Sequence, residues 1–198
     1  MLLLNTYDYP VYSLAAEKVK AAFRIAYSVL DKIAYFLNAY LDLGLSERGI
    51  SFPKLFKTRS KAVNFREAFA ERKNWMLRGL YWVSRDLYDP GDESRELLEP
   101  DAQELHKLRR FLEHRYVKLH DPFLPSTGSD AHRDQLAFSI KREEFEEKAV
   151  RMLRTVREAT IYLSLAIELE ERQKAEARED DVLVMPIPST TIADDWKM

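Results

Sequence analysis

Residues 11–43 read VYSLAAEKVKAAFRIAYSVLDKIAYFLNAYLDL, with no glycine and no proline. Tyr12, Ala16, Val19, Phe23, Ala26, Leu30, Ile33, Leu37 and Tyr40 recur at alternating steps of four and three residues. That is the heptad seam of one long helix. Ala15, Ala22, Val29, Phe36 and Leu43 widen the apolar face along one flank. A face that broad suits a helix at the centre of a bundle rather than half of a two-stranded coil. Pro10 precedes the stretch and Gly44 follows it, the usual asymmetry of helix ends. The rod would be roughly 50 Å long.

A second long helix is expected over Arg142 to Ala175, where Phe145, Ala149, Met152, Val156, Ala159, Leu163 and Ala166 repeat the seam. Glu143, Glu144, Glu146 and Glu147 crowd its first turns and complement the helix dipole there. Between the long helices the pattern breaks into shorter pieces. Residues 44–64 read as a loop, and a short helix follows from Phe65 to Arg72. Asn74 is placed to cap a helix from Trp75 to Tyr88, with Leu77, Leu80, Tyr81, Ser84, Leu87 and Tyr88 inward and Gly79 as its weak point. Asp89 to Asp92 form a turn. Pro100 opens a helix running to about Leu119, and residues 121–138 form a polar loop. The expected fold is all-α: a helical bundle with two long helices and two or three shorter ones. It occupies residues 1–178, and residues 179–198 form an acidic, apolar and Pro-containing arm.

Composition removes several classes of function. Apolar residues make up 46% of 198 and charged residues 32%, an ordinary globular balance. Five glycines and eight prolines are too few for the frequent turns of a sandwich or barrel. The 31 basic and 33 acidic residues leave a net charge of −2, so any surface for nucleic acid must be local. The absence of cysteine excludes disulfides, zinc–thiolate sites and cysteine nucleophiles. It also fits a reducing cytoplasm. The opening apolar run is too short for a signal peptide, and no stretch is long enough to span a membrane. With no Glu-x-x-His pair, glycine-rich phosphate loop or Gly-x-Ser-x-Gly elbow, neither metal nor cofactor is expected.

The chemistry-bearing residues cluster. All four histidines, His106, His114, His120 and His132, fall in one window, three of them on the helix opened by Pro100. Two Arg-x4-His pairs stand there, Arg109 with His114 and Arg115 with His120. Leu105, Leu108, Leu112, Tyr116 and Leu119 form the apolar stripe of that helix, and His114 points away from it. Partners five apart on a helix diverge by about 140°, so a second copy related by a two-fold axis would help to close the pair. A histidine that moves protons near neutral pH beside a phosphate-binding arginine suits metal-free RNA cleavage, in which the 2′-hydroxyl is the nucleophile. The plainer alternative is a solvated histidine beside an Arg109–Glu113 surface ion pair.

Lys54, Lys57, Arg59 and Lys61 form a local basic run able to follow an RNA backbone. Trp75, Tyr81, Trp82 and Tyr88 could stack bases, but their helical spacing reads as core. Trp82 and Arg78 fall off that inner face and suit a partner surface.

Several stretches carry a family resemblance. They are Asn5 to Leu14, Lys18-Val19-Lys20, Tyr27 to Ala34, Asn74-Trp75 with Leu77 to Trp82, and Arg109 to Lys118. On these the chain resembles a HEPN domain (higher eukaryotes and prokaryotes nucleotide-binding), within a bacterial subfamily, over roughly residues 5 to 170. The resemblance implies an all-α bundle, a two-fold homodimer and, in active members, a metal-independent endoribonuclease acting as a toxin or defence factor. The partners implied are an RNA substrate and an antitoxin or regulatory protein. The family motif of Arg, often Asn next, and then His maps onto Arg109 and His114, with Glu113 before the histidine. Arg110 stands where active members often have Asn. Arg115 and His120 are the alternative pair or an extension of the phosphate surface. Other family members are non-catalytic dimerising or binding modules, which is the alternative function.

Overall fold

The computed structural model describes residues 2–4, 11–57, 66–88, 102–120 and 137–177. The arm at 179–198, His132 and the turn at Asp89 to Asp92 lie outside them. Among the described residues six helices carry the fold: α1 (Leu14–Tyr40), α2 (Phe52–Phe56), α3 (Glu67–Ala70), α4 (Trp75–Tyr88), α5 (Ala102–His114) and α6 (Arg142–Glu176). Strands β1 (Leu2–Leu4) and β2 (Val11–Ser13) pair antiparallel, Leu3 opposite Tyr12. Strands β3 (Tyr116–His120) and β4 (Ala137–Lys141) pair parallel, Tyr116 opposite Ala137 and His120 opposite Lys141. The all-α class holds.

The first long helix begins later than its apolar seam. Ser13 caps it, its hydroxyl accepting the Ala16 N–H at 3.1 Å, and Val11 to Ser13 go to the strand instead. It ends at Tyr40 rather than Leu43. There the Asn38 amide brackets Leu45 through two 3.0 Å hydrogen bonds, and Gly44 takes a left-handed φ of 63° that glycine adopts at little cost.

Ala16, Phe23, Ala26, Leu30, Ile33 and Leu37 are buried as the seam requires. The flank buried most fully beside it is the opposite one from that expected, while Val29 and Leu43 of the expected flank pack half-buried against the core. Lys20, Tyr27, Ala34 and Leu41 are buried, whereas Ala15 and Phe36 are exposed. The reason is packing: α4 and α5 both press on the Tyr27 side, as the edge-on Tyr27–Tyr88 rings show at 6.0 Å.

Helix α6 lies along α1, with Phe23 and Phe145 rings 5.9 Å apart, and also along α4. Gly79 is what permits the second contact. A Cβ there would stand 2.8 Å from the Tyr162 ring, so the residue that weakens α4 as a helix former lets it sit against α6. Asn74 caps α4, its Oδ1 accepting from Met76 N at 3.2 Å and Leu77 N at 3.4 Å. Its Nδ2 donates to the Ala166 carbonyl at 2.9 Å and to Glu170 at 3.0 Å. Arg72 completes this node on Glu170.

Two further expectations are corrected. Within the expected 44–64 loop lie a 3-10 turn (Glu47–Gly49) and α2, whose Phe52, Leu55 and Phe56 are fully buried. A five-residue helix is too short to show a period, but its aromatics needed cover. The helix opened near Pro100 ends at His114, and Tyr116 to Leu119 continue as strand β3, not helix. Val117 and Leu119 are buried as alternate strand residues, while Tyr116 is 69% exposed.

A candidate nuclease motif on helix α5

Helix α5 buries Leu105, Leu108 and Phe111, which fixes its rotation and turns Arg109 toward α1. The Arg109 guanidinium lies 4.5 Å over the Tyr27 ring. Its Nη2 donates to Asp31 Oδ2 at 3.0 Å, and its Nε to Glu113 Oε1 at 3.0 Å. The other Asp31 oxygen accepts the Phe52 N–H at 3.1 Å. One carboxylate on α1 thus joins the start of α2 to the motif arginine on α5. Burial alone would lower the Arg109 pKa, but the hydrogen bond to Glu113 and the charge of Asp31 outweigh it and raise it. The arginine is permanently charged.

Below it lie two buried phenols. The Tyr27 and Tyr88 hydroxyls face each other, and Tyr27 faces Arg109, without a hydrogen bond of ordinary geometry. Loss of solvation raises the pKa of both, so both stay neutral. His106 meets the Tyr88 ring edge-on at 6.1 Å.

His114 closes the helix and faces outward, its side chain 72% exposed. Its Nε2 is 3.9 Å from Glu113 Oε2. Glu113 therefore stands between the two motif residues, one oxygen toward Arg109 and the other toward His114. One copy of the chain does not aim Arg109 and His114 at the same point. Arg110 and Arg115 are exposed on either side, their guanidiniums 6.0 and 5.5 Å from the Phe111 ring.

The alternative pair is not a helical pair. Arg115 sits at the bend after α5, and His120 ends β3 opposite Lys141, half-buried. Helical spacing therefore says nothing about how the two are aimed. In the basic run, Lys54 is exposed on α2 and Lys57 half-buried just after it; Arg59 and Lys61 lie outside the described residues. Arg66 and Arg72 are structural: Arg66 donates to the Leu55 and Lys57 carbonyls at 3.0 and 2.9 Å. Among the described residues no three His, Asp or Glu side chains converge to hold a metal ion, and no helix is long and apolar enough to cross a membrane.

The sequence reading missed Asp31 and Tyr27, which hold the motif arginine. They stand four apart on α1, so they share a face of that helix.

Comparison with known proteins bears on this motif. No curated protein and no solved structure matches the chain. A family profile described as LA2681-like HEPN matches residues 1–170. That span holds α1 to α5, both strand pairs, the Arg109–His114 motif and most of α6. The chain belongs to the LA2681-like HEPN family.

Proposed function

We propose that the chain is a metal-independent endoribonuclease of HEPN type, acting as a homodimer. The observation that carries this reading is the Arg109–Glu113–His114 sequence of contacts at the end of α5. It keeps a cation and an exposed imidazole on one surface. A two-fold pairing of these helix ends would set His114 of each copy beside Arg109 of the other. One histidine would take the proton of an RNA 2′-hydroxyl. That oxygen attacks the adjacent phosphorus and expels the 5′-oxygen, which takes a proton from the second histidine. The products are a 2′,3′-cyclic phosphate and a free 5′-hydroxyl. Arg109 would stabilise the charge that builds on the phosphate oxygens. The phosphate would take over the donor now given to Glu113, the more exposed of its two carboxylate partners.

Lys54, Lys57, Arg59 and Lys61 would hold the RNA backbone, and Arg110, Arg115 and His120 would extend the phosphate surface. Such an activity needs no cofactor and suits a cytoplasmic toxin or defence factor held in check by an antitoxin or regulatory protein.

A second reading is a non-catalytic HEPN module for dimerisation and for partner or nucleic-acid binding. Two observations favour it: Arg109 is already paired with two carboxylates, and Arg110 replaces the common Asn.

Cleavage of a mixed RNA pool in EDTA by the wild type, His114→Ala and His120→Ala proteins separates the readings. Under the first, the wild type cuts and His114→Ala loses at least about 100-fold in rate, in line with the loss of a general acid–base group. Undiminished cutting by His114→Ala removes it from the mechanism. No cutting by a folded dimer supports the second reading.

A further inference from the structure

Helix α4 carries a second arginine–aromatic arrangement, on its outer surface. Trp75, Arg78, Trp82 and Arg85 follow at steps of three, four and three residues, so they line one face. Trp75 is 72% exposed and Trp82 53%. Trp75 thus leaves the core its spacing suggested. Each indole has an arginine over it, Arg78 at 4.9 Å from the Trp75 ring and Arg85 at 5.0 Å from the Trp82 ring. Neither arginine forms an ion pair among the described residues; Arg78 donates only a long 3.5 Å hydrogen bond to the Ala70 carbonyl. Asp86 feels the charge of Arg85, and exposed Lys73 extends the basic line at the other end.

We propose that the Trp75–Arg78–Trp82–Arg85 stripe is a binding track for single-stranded RNA. Bases stack on the indoles, and the arginine edges take the phosphates between them. The choice of polymer rests on the ribonuclease reading above. The chemistry of the stripe supports it independently. Exposed indoles alternate with cations that form no ion pair among the described residues, which complements a flexible polyanion whose every unit offers a π face.

The spacing fits as well. Seven residues of helix separate the two indoles by about 10 Å, roughly three steps of stacked nucleic acid at about 3.4 Å each. Arg85 is one turn before Tyr88, whose ring packs on Tyr27, the ring that Arg109 covers.

The test is binding of the full chain to a fluorescent 2′-O-methyl RNA strand about 12 nucleotides long, within the range of single-strand sites. Lacking a free 2′-hydroxyl, the strand resists cutting. Trp75→Ala and Trp82→Ala are each expected to weaken binding by about 5- to 150-fold. Trp→Phe at either position should restore most of it, because the π face returns. Arg78→Gln and Arg85→Gln should each make the salt dependence of log K shallower by about 0.7.

A wild type that binds no single strand overturns the track. So does a Trp75→Ala/Trp82→Ala variant that binds like wild type. If that variant keeps RNA affinity but changes sedimentation, the stripe is a contact between copies instead. Cleavage of unmodified RNA in EDTA, run beside it, separates the two proposals. Binding that depends on the tryptophans without any cutting keeps the track and removes the nuclease. Cutting with unaltered binding does the reverse.

Discussion

The same contact, an arginine laid on an aromatic ring, occurs in two places with opposite surroundings. On α5, Arg109 covers buried Tyr27 and is held by Asp31 and Glu113. On α4, Arg78 and Arg85 cover indoles that face water. The stacking alone decides nothing about function in either place. In the first, two carboxylates set the direction of the guanidinium, and one of them, Asp31, joins α1, α2 and α5. In the second, neither cation forms an ion pair among the described residues, and the indoles beneath them stay exposed to water. A held arginine can orient a reacting phosphate, whereas an open one can follow a moving backbone.

The largest effect that would sharpen this contrast is Asp31→Ala. It takes one of two carboxylates from the partly buried Arg109 and leaves the Phe52 N–H without its acceptor. A loss of about 2 kcal/mol in urea denaturation is expected. A stability equal to wild type would mean that Glu113 alone holds the arginine and that the region is less built than it looks.

The second effect comes from pH. Burial raises the pKa of Tyr27 and Tyr88 above the ordinary value of 10.0. Below about pH 10 both phenols are protonated folded and unfolded, and they add no pH dependence. Above it the unfolded chain ionises first, so stability falls with rising pH, by up to about 1.4 kcal/mol per pH unit for each tyrosine. Urea midpoints from about pH 9 to 11 measure this, and Tyr27→Phe should flatten the slope.

The smallest effect belongs to the stripe. Trp75→Ala and Trp82→Ala should each change folding stability by less than about 0.5 kcal/mol. A larger loss would place these indoles in the structure rather than on its surface and erase the contrast.

The seams of α1 and α6 and the bounds of α4 are legible in sequence because period, cap and burial agree there. Phe23, Leu30 and Leu37 recur as a heptad and are buried, and Asn74 caps where a cap residue precedes an apolar run. Strand β3 is not legible. Tyr116 and Leu119 fit the stripe of α5 as well as they fit a strand, and no glycine or proline marks the break at Arg115. The candidate site is half legible. Arg109, Glu113 and His114 stand in one local pattern, while Asp31, 78 residues away in the chain from Arg109, looks like an ordinary surface aspartate. Trp75 misleads in the other direction, because helical spacing shows which residues share a face and not which face is covered.

The contact between α1 and α6 also has a consequence in time. Tyr40 and Glu171, which hydrogen-bond across it, are 131 residues apart in the chain. A ribosome adding about 5–20 residues per second needs on the order of 10 s to travel between them. During that interval the seam of α1 waits for the helix that covers it. A chain that ends before Arg142 therefore leaves the α6-facing side of its central helix bare, and it is exposed to chaperones and proteases.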